Sequence, residues 1–146
     1  MQDSIERETL IAAPVERVWA LITEPEHLGT WFGDAGAEVD LRPGGALAVH
    51  WAEHGTVHGR VEAVEAPHRF AWRWSTDGED FSAPKSTEVE FTLAAEGDGT
   101  RLRVVERGFA TLAGGEAAVR ARFDDHTEGW AIEIGHLAEH AEHARA

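Results

Sequence analysis

Cysteine is absent from the 146 residues, which excludes disulfide staples, thiolate zinc sites and a cysteine nucleophile, and suits a reducing compartment. Tyrosine is absent too, so the whole aromatic load rests on six tryptophans and six phenylalanines. Positive charge is scarce. Thirteen Lys and Arg stand against 27 Asp and Glu, giving a formal charge of −14 and a pI near 4.9. A phosphate backbone or an anionic membrane surface would be repelled by such a chain. No apolar run approaches the roughly 20 residues needed to span a bilayer. The polar start, Met1-Gln2-Asp3-Ser4-Ile5-Glu6-Arg7, does not read as a signal peptide. Phosphate-binding loops, the G-x-G-x-x-G fingerprint and the G-x-S-x-G elbow are all missing. These absences predict an acidic cytoplasmic protein that binds neither nucleic acid nor membrane, with no cofactor or metal implied.

What remains is a chain with 42% hydrophobic residues, enough for one packed core. No repeat or low-complexity segment divides it, so residues 1–146 read as a single domain. The stretch that organises it is Gly115 to Ala146. Val119, Phe123, His126, Trp130, Ile134, Leu137 and Ala141 recur there at steps of three and four, the stripe of one helix face, with no proline to interrupt it. Asp125 with Glu128 three residues on reads as a capping box, which predicts a short helical piece over 116–123 before the main helix.

Upstream, Ser4 to Ile11 alternates as a strand. Pro14 is placed at the first position of a helix with Val15, Val18, Trp19 and Ile22 as its apolar face. Pro25 opens a second short helix through Leu28, Trp31 and Phe32, stopped by Gly33, Asp34 and Gly36. The period then switches to two: Ala37–Leu41, the strand carrying Leu47, Val49 and Trp51, Val57–Val64, Phe70–Trp74, the strand carrying Val89, Phe91 and Leu93, and that carrying Leu102, Val104 and Glu106. Val57, Gly59, Val61 and Ala63 share one face. Gly78 to Lys85 is a loop, Gly97–Asp98 a hairpin turn, and Phe109 to Gly115 a flexible link. The order is β–α–α, six further strands, then α. Short turns between consecutive strands imply an antiparallel sheet with one dry face, so the class is α+β: a curved sheet of about six to seven strands under one long terminal helix.

Several local motifs, taken in order, resemble a known family. They are Thr30-Trp31-Phe32-Gly33, Pro43-Gly44-Gly45, Gly59-Arg60-Val61, Glu65-Ala66-Pro67-His68-Arg69-Phe70, Gly99-Thr100-Arg101-Leu102 and Glu128-Gly129-Trp130. Together they are similar to small bacterial members of the SRPBCC (START-like) superfamily, in the group named after the activator of the heat-shock chaperone ATPase. The resemblance covers nearly the whole chain. It implies a helix-grip fold with a cavity between sheet and helix, on a scaffold that elsewhere hosts carriers, polyketide cyclases and chaperone-associated modules.

Candidate site residues follow from parity and period. Trp51, Trp72 and Trp74 share the inward parity of Val49 and Val61, and Trp130 faces them from the helix. As aromatics they serve either as core or as walls of an apolar pocket; Trp31 and Phe109 join them as candidate lining. His126 sits on the apolar helix face, either as a boundary residue or as the proton donor and acceptor of a cavity. Glu106 has inward parity at the end of the last strand, close enough in the chain for a His126–Glu106 pair. Glu53, His54 and His58, with His50 nearby, read as a solvated turn. His136, Glu139 and His140 spell H-x-x-E-H, but with His143 and Glu142 they read as a solvated helix face without a third ligand. Glu88 and Glu90 fall on the outer face of the sheet. The leading expectation is a binding protein for a hydrophobic small molecule. The alternatives are a cyclase-like or hydrolase-like enzyme, and a module that engages a protein partner, such as a chaperone, or a second copy of itself.

Overall fold

The computed structural model describes residues 3–53, 55–75 and 80–143. His54, Gly78 and the side chain of His143, named above, lie outside the described residues. A first strand, β1 (Ser4–Ile11), leads into two short helices, α1 (Val15–Thr23) and α2 (Pro25–Trp31). Six strands follow: β2 (Ala37–Val39), β3 (Ala46–Trp51), β4 (Gly55–Glu65), β5 (Arg69–Ser75), β6 (Ser86–Glu96) and β7 (Gly99–Arg107). One long helix, α3 (Glu116–His143), closes the chain. The seven strands form one antiparallel sheet in the order β1-β7-β6-β5-β4-β3-β2. Among the described residues no helix is long and apolar enough to cross a membrane.

The dry face of the sheet carries the alternate residues that the strand period selects, including Leu47, Val49, Val61, Phe70, Trp72, Val89, Phe91, Leu102 and Val104, all buried. One register shift breaks the alternation. Between Val61 and Ala63 the β4 ladder slips, so Val64, opposite Phe70, packs on the core where parity alone had placed Ala63. A slip of this kind adds local twist and bend to a strand.

On α3 every member of the predicted stripe is buried or half-buried, from Val119 to Ala141. The helix does not break at Asp125. It runs unbroken for 28 residues, about 42 Å. Its start is set by Gly114 and Gly115, whose φ angles of +117° and +90° no other residue adopts without strain. Val119 N–H donates to the Gly115 carbonyl. With neither Gly nor Pro between Glu116 and Asp125, burial of Val119 and Phe123 outweighs a capping signal worth about 1 kcal/mol.

Two smaller expectations also shift. Pro14 precedes α1 as its cap residue rather than starting it: its φ of −68° and ψ of 157° are extended, and its carbonyl accepts from Arg17 N–H and Val18 N–H. The link after β7 contains a single turn, Phe109–Thr111, in which Phe109 is fully buried. Asp3 ties it down through its carbonyl to Phe109 N–H and its carboxylate to Ala110 N–H.

The terminal helix is fastened on the β1 side. Arg7 Nη2 donates to the Thr127 carbonyl at 3.2 Å, Arg17 Nε donates to the Ala141 carbonyl at 3.2 Å, and Ala12 N–H donates to Glu142 at 3.1 Å. The opposite side of the helix, over β3 to β6, is left as a groove.

Helix α2 reaches the start of β2 because Gly29 lacks a side chain. A Cβ there would lie 2.7 Å from the backbone of Gly36 and 2.9 Å from Ala37 N. Helix propensity alone would reward Gly29→Ala by up to about 1 kcal/mol, but a backbone obstacle cannot turn aside as a side chain can. Gly29→Ala is expected to lower the unfolding free energy by about 1–3 kcal/mol in a denaturant titration; an unchanged or raised midpoint would contradict this packing.

Candidate functional site

The site is built round one carboxylate. The parity of β7 turns Glu106 inward with Leu102 and Val104, and it is completely buried. Four side chains donate to it. Trp130 Nε1 lies 2.8 Å from Oε1; Trp74 Nε1 and Thr87 Oγ1 lie 3.0 and 2.6 Å from Oε2. His126 Nδ1 spans both oxygens at 2.9 and 3.0 Å. Trp74 Nε1 is also 3.0 Å from Thr87 Oγ1, so the threonine hydroxyl relays one bond while making another.

An indole N–H can only donate, so two of the four partners demand an acceptor here, and an ionised carboxylate offers about four acceptor positions. Burial pushes the Glu106 carboxyl up. The hydrogen bond and charge of His126, then the bonds from Thr87 and Trp130, outweigh it and hold the group below the usual carboxylate range.

With Glu106 ionised, His126 Nδ1 carries the proton it donates. When the ring is neutral, that leaves Nε2 as its basic nitrogen, the arrangement by which a carboxylate orients an imidazole. No described residue hydrogen-bonds Nε2. The side chain is 23% exposed, held edge-on by Trp74 and Phe109 with ring centroids 5.9 and 5.8 Å away.

Over this pair opens a groove of about 420 Å³, within the usual size range of ligand pockets. Phe32, Trp51, Trp74 and Trp130 form its aromatic wall, Val57 and Ile132 add apolar edges, and Thr87 and His126 are among its polar groups. Arg122, Asp125, Glu128 and Glu133 line it from α3. The wall is rigid because its rings touch: Phe32 stacks at 5.6 Å on Trp74 and at 5.2 Å on Trp130, and meets Trp51 edge-on at 5.3 Å.

Of the residues singled out from sequence, the fold brings Trp51, Trp74, His126 and Trp130 together at this groove, with Glu106 beneath. Trp31, Trp72 and Phe109 do not line it. Trp31 is buried behind Phe32 with its Nε1 donating to the Leu21 carbonyl at 2.6 Å. Trp72 is fully buried on the sheet, and its Nε1–H has no partner among the described residues. Phe109 lies under α3 against Phe123.

His50 bridges Glu38 and Thr56 outside the groove, and His136, Glu139 and His140 are exposed on α3. Glu24, Glu26 and His27 bring ligand atoms within 4.8 Å of one another on the surface near α2, away from this chemistry. Sequence reasoning passed over Phe32, although it adjoins Trp31, and Glu133, which lies seven residues after His126 on the same helical stripe.

An antiparallel sheet gripping one long helix, with a polar pair beneath an aromatic groove, defines a helix-grip protein of the SRPBCC type. The chain belongs to the family described as activator of Hsp90 ATPase homolog 1-like protein, whose profile matches residues 12–142. Among solved structures it is similar to NE0264 from Nitrosomonas europaea, with a TM-score of 0.79 and 23% identity over 98% of this chain and 96% of that one. It is also similar to CalU16 from Micromonospora echinospora, with a TM-score of 0.69 and 27% identity over 93% of this chain and 74% of that one. A third, DynU16 of the dynemicin biosynthetic locus, has a TM-score of 0.76 and 24% identity over 97% of this chain. This chain spans only about half of that one, 48%. No curated relative matches at a significant level. These likenesses establish the fold.

Replacing Glu106 by Gln would turn an acceptor-only group into one that presents an N–H₂ to a ring of donors. Glu106→Gln is therefore expected to cost about 2–4 kcal/mol in denaturant unfolding. The pH dependence follows from the sign. The folded-state value lies below the unfolded one, so the stabilisation is fully present above the ordinary carboxylate value of 4.5 and is lost as pH falls through the folded-state value. Acid unfolding of the wild type compared with Glu106→Gln checks this; superimposable acid limbs would refute it.

Proposed function

We propose that this protein binds a small apolar or aromatic molecule in the groove between α3 and the β3–β6 part of the sheet. The observation that carries this reading is the wall itself: a groove of about 420 Å³ faced by four touching aromatic rings, with polar groups beneath. Burial of ligand surface supplies the driving force, about 25 cal/mol per Å² before ordering costs. Thr87 and the His126 ring supply orientation. The wall is held by ring contacts and by Glu106, so little side-chain freedom is lost when a ligand enters. The absence of cysteine suits the cytoplasm as its compartment.

Gly129 supplies a clean test. It lines the groove, and an added Cβ there meets nothing within 4 Å. Gly129→Phe should fill the groove while improving helix propensity by a few tenths of a kcal/mol. Wild type is expected to show quenched or shifted tryptophan fluorescence with an aromatic probe panel, and the variant to lose affinity by about tenfold or more with its fold intact. A panel without any response in wild type, or undiminished binding in Gly129→Phe, would defeat the reading.

One observation favours a second reading, an acid–base enzyme. Glu106 fixes His126 with Nδ1 as donor, so Nε2 is free to take or return a proton at the groove. A substrate with an acidic C–H beside a carbonyl, as in a reactive polyketone chain, would suit one positioned base. Solvent-deuterium exchange into such a ketone, at saturating ketone, is expected to fall by roughly 10²-fold or more in His126→Gln. Equal exchange in the two proteins would remove the enzyme reading and leave binding. Regulation of a chaperone ATPase, the activity in the family's name, is a third reading, which co-purification or an ATPase assay would test independently of the groove.

A further inference from the structure

Glu133 lies one turn beyond Trp130 on α3 and lines the same groove, but its surroundings differ from those of Glu106. Its Oε2 is shut off from water, and no described residue donates a hydrogen bond to it. The exposed His136, one turn further on, stands 3.6 Å from Oε1, beyond a good hydrogen bond. No arginine or lysine among the described residues lies within ion-pair distance of it. Across from it, Asp34, in the loop after α2, adds a second negative charge and is itself fixed by accepting Ala52 N–H at 2.7 Å.

A carboxylate with one oxygen unsatisfied and only the exposed His136 near the other is costly while the groove is empty, and that cost falls if the ligand brings a cation. The rest of the groove agrees in sign. The π faces of Phe32, Trp51, Trp74 and Trp130 attract cations. Asp125 and Glu128 at the helix edge outnumber the single Arg122. Helix α3 as a whole carries seven carboxylates and two arginines, so the field at the groove steers positive charge inward. We propose that the groove selects apolar or aromatic ligands that carry a basic nitrogen, with the Glu133 carboxylate as their counter-ion. This rests on the binding reading above and adds the sign of the ligand's charge.

Recognition of this kind couples to pH. Burial pushes the Glu133 carboxyl up to about 7, against the pull of His136 and with a further push from Asp34. These two groups, one on its own helix and one across from it, are the charges that face it. A cationic ligand draws on the ionised form, so its affinity rises with pH from 6 to 8, by up to about tenfold for one such group.

Calorimetric titration of the full chain with three probes of one shape, naphthylethylamine, naphthylethanol and naphthylacetate, tests the proposal at low ionic strength. The amine is expected to bind about tenfold or more tightly than the alcohol, with the acetate weakest. Glu133→Gln, which keeps the side chain's shape, is expected to abolish both the amine's advantage over the alcohol and the amine's rise in affinity with pH. Equal affinities for the three probes in wild type would overturn the charge selectivity and leave the groove as a binding site. Silence from all three would overturn both. An amine preference that survives Glu133→Gln would overturn the choice of Glu133 as counter-ion.

Discussion

A single buried carboxylate, Glu106, holds this molecule's working parts in one place. Trp74, Thr87, His126 and Trp130 come from β5, β6 and α3, and each spends a donor on it. The two on the helix are four residues apart, so both project from one side of α3. With both aimed at one carboxylate, the helix cannot roll about its axis without breaking a bond to a buried charge. Such a bond is worth roughly twice a neutral one, and its loss leaves a buried group unsatisfied. The aromatic wall inherits this rigidity, because the rings stacked on Phe32 are the same two indoles that Glu106 holds.

Two glutamates, one sealed beneath the groove and one lining it, are driven in opposite directions by their surroundings. Glu106, more deeply buried, is pulled below the ordinary value because four side chains donate to it; Glu133, less buried, is pushed up to about 7 by burial that no hydrogen bond offsets, against the pull of His136 and with a further push from Asp34. Depth alone would have ranked them the other way. Hydrogen bonding to the charged form decides the outcome. Titratable groups set apart in this way are how a site obtains one fixed charge and one responsive group from the same residue type. The fixed one orients His126, and the responsive one lines the groove.

Much of this was legible in the sequence, for reasons that also mark where legibility stops. Steps of three and four named the buried face of α3, because a helix 28 residues long must hide one stripe. Alternation put Glu106 and the β5 aromatics on the inner face, and nearness along the chain suggested the His126–Glu106 pair. Parity tells which face a side chain takes but not how deep it lies. Trp72 and Trp74 therefore read alike, yet one is sealed in the core while the other walls the groove. The slip between Val61 and Ala63 leaves no mark on the residues themselves. The capping signal at Asp125 was local, and tertiary burial of the preceding turns overrode it. Glu133 was visible as the residue seven after His126, but a search for apolar members of a stripe passes over a carboxylate.

The outer face of the sheet bears on which surface is free to meet another molecule. Ion pairs there run in a continuous chain: Arg60 to Glu62 at 3.1 Å, Glu62 to Arg73 at 3.4 Å, Arg73 to Glu88 at 3.9 Å, Glu88 to Arg107 at 2.7 Å, Arg107 to Glu90 at 3.3 Å, Glu90 to Arg69 at 2.5 Å and Arg69 to Glu65 at 2.7 Å. Each arginine is spent on its neighbours in the sheet. A partner docking on this face would have to desolvate charges already paired, and such burial repays itself only with near-ideal geometry. These arginines cancel against glutamates, whereas α3 carries seven carboxylates against two arginines. The two faces of the sheet therefore differ in kind: the wet one balances charge locally, and the dry one supplies part of the aromatic wall over which α3 holds Glu133.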